Sequence, residues 1–241
     1  MSKIVLAIDC SQRMSLLALS VDGVVHERRF EANSAEPRER FWDELRALHA
    51  DAGITAAQLT AIAVATGPGG FTGLRVSISF AQTVAFALGI PIVALPSPIV
   101  FAASHAKRAA STADCWLVAL ASKHGGASIT RVEHCAKNCA RGRFIEVSSQ
   151  WSDAELFAQW CAQLGHRGAL LADEHLDPLL LAQSQLLSLI CQPIVTDATA
   201  LIDLARAALA AGEAVDPATV LPRYAREPEA VTNWRARHPS R

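Results

Sequence analysis

Net charge is what this chain lacks most: 22 Lys and Arg stand against 23 Asp and Glu, leaving −1 over 241 residues. That balance excludes a broad electrostatic grip on a polyanion, so any nucleic-acid contact is local or borrowed from a partner. Cysteine is present but unpatterned. Cys10, Cys115, Cys135, Cys139, Cys161 and Cys191 show none of the short spacings of a secreted disulfide scaffold. No secretory leader is expected, because Asp9 interrupts the opening apolar run. Free buried thiols in a cytoplasmic protein are the plain expectation. Cys135 and Cys139 with His134 could form half of a metal site, but no second half follows, so no metal is expected. No two histidines lie four apart, which argues against a zincin-type site. A Gly-x-Ser-x-Gly elbow and a Gly-Lys-Ser/Thr phosphate loop are also missing.

What is there is apolar and folded in character. Hydrophobic residues make up 51% and charged residues 19%, enough to bury a real core in one large domain or two modest lobes. From Val76 to Ala106 there is no charged side chain, a length that could span a bilayer. Gly89-Ile-Pro91 and Pro96-Ser97-Pro98 cut it into helix, strand and helix, so a packed core rather than a membrane span is expected.

Ile4–Ile8 reads as a strand buried on both faces. Ser15–Val21 and Val24–Phe30 flank the hairpin turn Asp22-Gly23. An amphipathic helix over 34–52 follows, with Ser34 as its cap and Gly53 as its stop. Ile62–Thr66 is a further buried strand, then comes a glycine-rich turn over 67–73, a helix capped by Thr72 and running to Leu88, and a strand over Pro91–Leu95. This order makes an α/β layer that resembles the ribonuclease H-like core. A polar, small-residue segment over 105–114 is the expected hinge between lobes 1–104 and 105–241, with the last ~20 residues able to fold back on the first lobe. Beyond the hinge, strands over 115–121, 128–134 and 143–147 precede a helix opened by a Ser152–Glu155 capping box. Strands at 169–172 and 190–195 and a helix over 197–211 complete a rough repeat of the first half.

Two places could carry chemistry. Gly67, Gly69, Gly70 and Gly73 free the backbone to turn tightly, and a helix N-terminus with Thr72 and Arg75 follows at once, a setting able to hold a phosphate or carboxylate. From the residues alone, a plain tight strand-to-helix turn with Thr72 as cap is the favoured reading, since glycine turns are common. Asp9 and Ser11 sit where a buried strand runs out, the usual place for functional groups in α/β folds. An Asx-type turn is the alternative there. At the C-terminus Arg223, Arg226, Arg235, Arg237 and Arg241 form a basic end, either a solvated tail or a contact for RNA or a partner.

The helix after the glycine turn carries the strongest physical constraint. It holds one charged residue, Arg75, and two apolar stripes: Leu74, Ile78, Ala81, Ala85 and Leu88 on one side, Val76, Phe80, Val84 and Ala87 on another. A sheet covers only one side of a helix. The second stripe therefore needs a cover: the first helix, through Phe41, Leu45 and Leu48, together with a partner protein.

Lys3-Ile-Val-Leu-Ala-Ile-Asp-Cys-Ser11, the Gly67-Pro-Gly-Gly-Phe-Thr-Gly-Leu-Arg75 turn, the Ala81-Gln82 helix ending in Gly89-Ile-Pro91, and Pro222-Arg-Tyr-Ala-Arg-Glu-Pro228 together resemble the bacterial TsaB (YeaZ) family. The resemblance implies a two-lobed, actin-like ASKHA fold. It further implies a non-catalytic scaffold or activator of the tRNA N6-threonylcarbamoyladenosine-forming complex. Such a subunit binds the transferase TsaD through its first two helices, which places Phe41, Leu45, Leu48, Val76, Phe80, Val84 and Ala87 on the expected docking surface, with the ATPase TsaE joining and tRNA reached through the complex. No intrinsic cofactor is implied; nucleotide at the surface shared with TsaD, and a homodimer when alone, are left open. Cys10 and Gly70 depart from the family pattern, as does Leu120–His124, where the family has Asp-Ala-Arg. A stand-alone actin-like ATPase or small-molecule kinase is the alternative. It would need a second phosphate loop, for which the Gly125-Gly126 region is the candidate.

Overall fold

The computed structural model describes residues 3–31, 37–110, 112–122, 125–135, 143–165, 167–225, 234 and 237–238. Strands β1 (Val5–Asp9), β2 (Met14–Val21), β3 (Val24–Glu31), β4 (Ala61–Ala65) and β5 (Ile92–Leu95) form one sheet in the order β3-β2-β1-β4-β5. Strands β6 (Cys115–Ser122), β7 (Gly126–Cys135), β8 (Arg143–Ser152), β9 (Gly168–Ala172) and β10 (Cys191–Pro193) form another in the order β10-β9-β6-β7-β8. The two orders are the same pattern: an antiparallel meander whose first strand then pairs in parallel with a fourth strand, which in turn pairs in parallel with a fifth. This is a two-lobed α/β fold built from one repeated unit.

The repeat follows from the residues. Every residue of β1 and of β4 is buried, because both are central strands covered on both faces. The Asp22-Gly23 turn has positive φ at both positions (50° and 88°), the geometry that matches the twist of a two-residue hairpin. Helices α1 (Pro37–Asp51) and α2 (Phe71–Leu88) cover the outer face of the first sheet. On the second sheet α4 (Ala154–Ala162) and α5 (Pro178–Leu186) do the same.

The two inner helices change places. Helix α3 (Ser97–Arg108) follows the first sheet in sequence, yet its Phe101 and Ala102 pack with Trp116, Val118 and Leu120 of the second. Helix α6 (Ala198–Ala210) follows the second sheet, and its Leu201, Ile202 and Ala205 fill the core beneath the first. They meet between the sheets, where Lys107 pairs with Asp203 at 2.6 Å. Packing therefore divides the molecule differently from a cut at residues 104 and 105. The expected hinge is also shorter, because His105–Arg108 continue α3 and the Ala109 amide donates to the His105 carbonyl.

Several local expectations shift. The N-cap of α2 is Gly70 rather than Thr72, with no side-chain cap, because the turn brings Gly70 into extended backbone one residue before Phe71. Asp153, not Ser152, caps α4 by accepting from the Leu156 amide, since Ser152 still belongs to β8. Gly126 is already strand, and helix α5 was not foreseen, although Asp177 caps it and Pro178 sits in its first turn. Ser34, Cys139, Arg226, Arg235 and Arg241 lie outside the described residues.

Candidate functional site

The glycine turn is held against the end of β1 by backbone contacts. Gly70 donates its amide to the Ser11 carbonyl at 2.7 Å. A Cβ at Gly69 would overlap that same carbonyl, and one at Gly73 would overlap the Cys10 carbonyl. These two glycines exist to let the Cys10-Ser11 backbone lie directly on the turn. Gly67 is pinned from the other side: its amide donates to Ser97 Oγ and its carbonyl accepts from the Ser97 amide, both at 3.0 Å. Gly69, Gly70, Phe71 and Thr72 stay exposed at the start of α2.

Asp9 does not open into that space. It is 2% exposed. Oδ1 accepts from the Ser11 amide at 2.9 Å and the Ser11 hydroxyl at 2.6 Å, while Oδ2 accepts from Thr196 Oγ1 at 2.7 Å. The carboxylate is thus consumed as a pin between β1 and the residues that lead into α6, a buried charge satisfied by hydrogen bonds. An anion at the turn would meet neither of its oxygens. Burial drives the neighbouring Cys10 thiol up to about 12, so Cys10 is an inert filler. Among the described residues no group of three or more His, Cys, Asp or Glu is placed to hold a metal. The Gly125 loop does have a carboxylate neighbour, Asp177, but its Oδ1 caps α5 by accepting from the Leu179 amide.

The residues expected on a docking surface divide sharply. Phe41, Leu45 and Leu48 are 2%, 7% and 0% exposed and belong to the core between α1 and the sheet. They are not available to a partner. Val76, Phe80 and Val84 are half-buried against that core, with the Phe80 ring edge-on to Phe41 and Trp42 at 5.3 and 5.4 Å. Helix α1 therefore meets the second stripe at Phe80. Ala87 is exposed, and Leu88, expected on the buried side, is 37% exposed. The side left uncovered is a third one. Thr72, Ser79, Thr83 and Phe86 are exposed and, with half-buried Val76 at their margin, recur at alternating four- and three-residue steps, the spacing of a helix–helix seam; Phe86 is 85% exposed. Phe86 could have been found from the sequence, since at helical periodicity it falls on neither of the two apolar stripes. Length and composition would let α2 cross a membrane, but its Leu74, Ile78, Ala81 and Ala85 are spent on the sheet.

A short segment from the C-terminal side borders α2. Gln82 Nε2 donates to the Pro217 and Val220 carbonyls at 2.7 and 3.0 Å. Tyr224 stacks on Phe71 at 5.5 Å and accepts from Arg75 Nε at 2.9 Å, while the Arg75 guanidinium lies 3.8 Å over the Phe71 ring. Arg75 is thus engaged at the start of α2 rather than free in the cleft. Arg223, expected in a basic tail, is paired with Glu146; the hydrogen bonds to that carboxylate raise its guanidinium above the ordinary value. Two shallow hollows, of about 160 and 310 Å³, lie elsewhere, lined by residues such as Gln159 and Trp160 in one and Arg29 and Arg40 in the other.

Comparison with known proteins gives this geometry a context. Residues 31–126 match the family model described as TsaD, tRNA N6-adenosine threonylcarbamoyltransferase. The tRNA threonylcarbamoyladenosine biosynthesis protein TsaB of Escherichia coli is 32% identical over 89 residues, 37% of this chain and 38% of that protein. The resemblance to the TsaB (YeaZ) family is borne out. An uncharacterised protein of Mycobacterium tuberculosis is 41% identical over 71 residues, 30% of this chain and 34% of that protein. The chain thus matches little more than a third of the length of these relatives. In fold, YeaZ from Pseudomonas aeruginosa superimposes with a TM-score of 0.75 at 21% identity, covering 92% of this chain and all of the other. The TsaB-like fold thus extends through both sheets, well beyond the segment alike in sequence.

Proposed function

We propose that this chain is a non-catalytic scaffold and activator subunit in the formation of N6-threonylcarbamoyladenosine in tRNA, acting in the cytoplasm by docking the transferase TsaD. The observation that carries the reading is the exposed side of α2, uncharged along Thr72, Ser79, Thr83 and Phe86 and ending in a ring 85% exposed. Small side chains with one protruding aromatic suit a facing helix, because they allow close approach and offer an anchor. TsaE and tRNA are then reached through the complex, any nucleotide sits at the shared surface, and a homodimer hiding the same side is a resting form. The inert role also agrees with an Asp9 whose oxygens are both taken and a turn whose Gly70 amide is used internally.

The test is direct. The purified chain is mixed with TsaD and followed by size-exclusion chromatography and calorimetry, then assayed alone for ATP hydrolysis. Complex formation without turnover by the isolated chain is expected. Phe86→Asp is expected to weaken binding at least tenfold, about 1.4 kcal/mol, while leaving the unfolding midpoint unchanged. Robust ATP turnover by the chain alone would instead support an actin-like ATPase or kinase.

A further inference from the structure

We propose that residues 215–225 are a clasp that fixes the angle between the two lobes, and that Arg223 is the residue that closes it. The segment is fastened to the first lobe along its whole length. Val215 donates its amide to the Ile92 carbonyl at 2.9 Å, beside β5. Gln82 holds the Pro217 and Val220 carbonyls, and Val220, 3% exposed, enters the core between α2 and the sheet. The Arg223 amide donates to the Thr66 carbonyl at 2.7 Å, at the end of β4, and the Arg223 carbonyl lies against Gly67. Tyr224 then stacks on Phe71. The backbone of Arg223 is therefore part of the first lobe.

Its side chain belongs to the other. The guanidinium donates from both terminal nitrogens to the two oxygens of Glu146 on β8, each at 2.7 Å. A two-pronged pair of this kind fixes orientation as well as distance, which a point charge on a flexible stem cannot do. The Glu146 side chain is 18% exposed and that of Arg223 41%, so the carboxylate is shielded from water while the guanidinium stays partly screened. Position gives it leverage. β8 is an edge of the second sheet, three strands away from β9, a separation of about 14 Å at normal strand spacing. Just after β9, Glu174 meets Arg13 from the first lobe in a looser, exposed contact of 3.9 Å. The inner helices and the Asp9–Thr196 pin join the lobes between the sheets, where they act as a pivot. Rotation about such a pivot is resisted by ties far from it, and the clasp is the tight one. Because the clasp also abuts Gly67 and Phe71, the lobe angle, the glycine turn and the start of α2 form one mechanical unit.

The experiment measures the angle itself. Spin labels at Ala50 on α1 and Gln159 on α4, both exposed, report the distance between the outer faces, with Cys135, Cys139 and Cys191 replaced by serine so that only introduced thiols react. The full chain is expected to give one narrow distance. Arg223→Ala is expected to lose it, giving a broadened distribution, and Arg223→Lys to broaden it less. Should Arg223→Ala fail to fold, Glu146→Gln keeps the shape and most of the packing and is expected to broaden the distribution in the same way. Distributions for the foldable variants that superimpose on that of the unmodified pair would overturn the proposal.

Discussion

Gly69 and Asp9 face each other across the Cys10-Ser11 backbone, and each has a role the other makes necessary. The glycine admits the Ser11 carbonyl, and the aspartate holds the Ser11 amide and hydroxyl. Asp9→Ala is expected to destabilise the fold by about 3 kcal/mol, since it strands the Ser11 and Thr196 donors in a dry place. Chemical denaturation measures it, and a loss within experimental error would mean that the pin carries no weight. His105 offers a pH test. Its Nδ1 accepts from Trp116 Nε1 at 3.2 Å, and burial, aided by the charge of Arg108, holds the imidazole below its ordinary 6.5. The unfolded chain takes up a proton there before the folded chain does. This contribution to stability is complete above 6.5 and declines as pH falls from there toward the lower folded value. His105→Asn can keep an acceptor for Trp116 without titrating. Its stability is expected to change less between about pH 7.5 and about pH 5 than that of the unmodified chain.

At the scale of elements, α2 uses three sides differently. One packs on the sheet, one lies against the aromatic rings of α1, and one is bare. The contrast between Phe41 and Phe86 tests this division. Phe41→Ala removes a fully enclosed ring and is expected to cost about 3–5 kcal/mol. Phe86→Ala is expected to leave thermal stability within about 0.5 kcal/mol, as for an exposed position. Equal losses at both positions would mean that Phe86 is covered within the chain itself. Val84 is a poor probe of docking, because it is half-buried against the same core as Phe80.

For the whole molecule, the exchange of α3 and α6 makes the lobes interdependent. Each sheet takes one inner helix from the far half of the sequence, so neither half buries its core alone. Expression of residues 1–104 by themselves is expected to give aggregated or unfolded material. The first sheet would lack Leu201, Ile202 and Ala205, and Phe101 would be left in water. A soluble fragment with a cooperative unfolding transition would contradict that interdependence. The clasp belongs to this scale too, because it ties residues 215–225 to both lobes.

Periodicity and turn chemistry made most elements readable in advance. The β1 and β4 runs are wholly apolar because central strands are covered twice, Asp22-Gly23 can adopt positive φ, and Gly89 stops α2 in a left-handed conformation at φ 62°. These are local constraints, expressed within a few residues of their cause. The repeated order of the two sheets was visible only roughly, and α5 was missed because Leu179, Leu180 and Leu181 run together without a clear helical face. Tertiary structure alone decided the rest: which sheet α3 and α6 serve, that Asp9 spends an oxygen on Thr196, that Phe41 is core rather than contact, and that Arg223 reaches Glu146. Each of these joins residues far apart along the chain. Their pairing is set by how packed layers close on one another, a condition no stretch of sequence contains on its own.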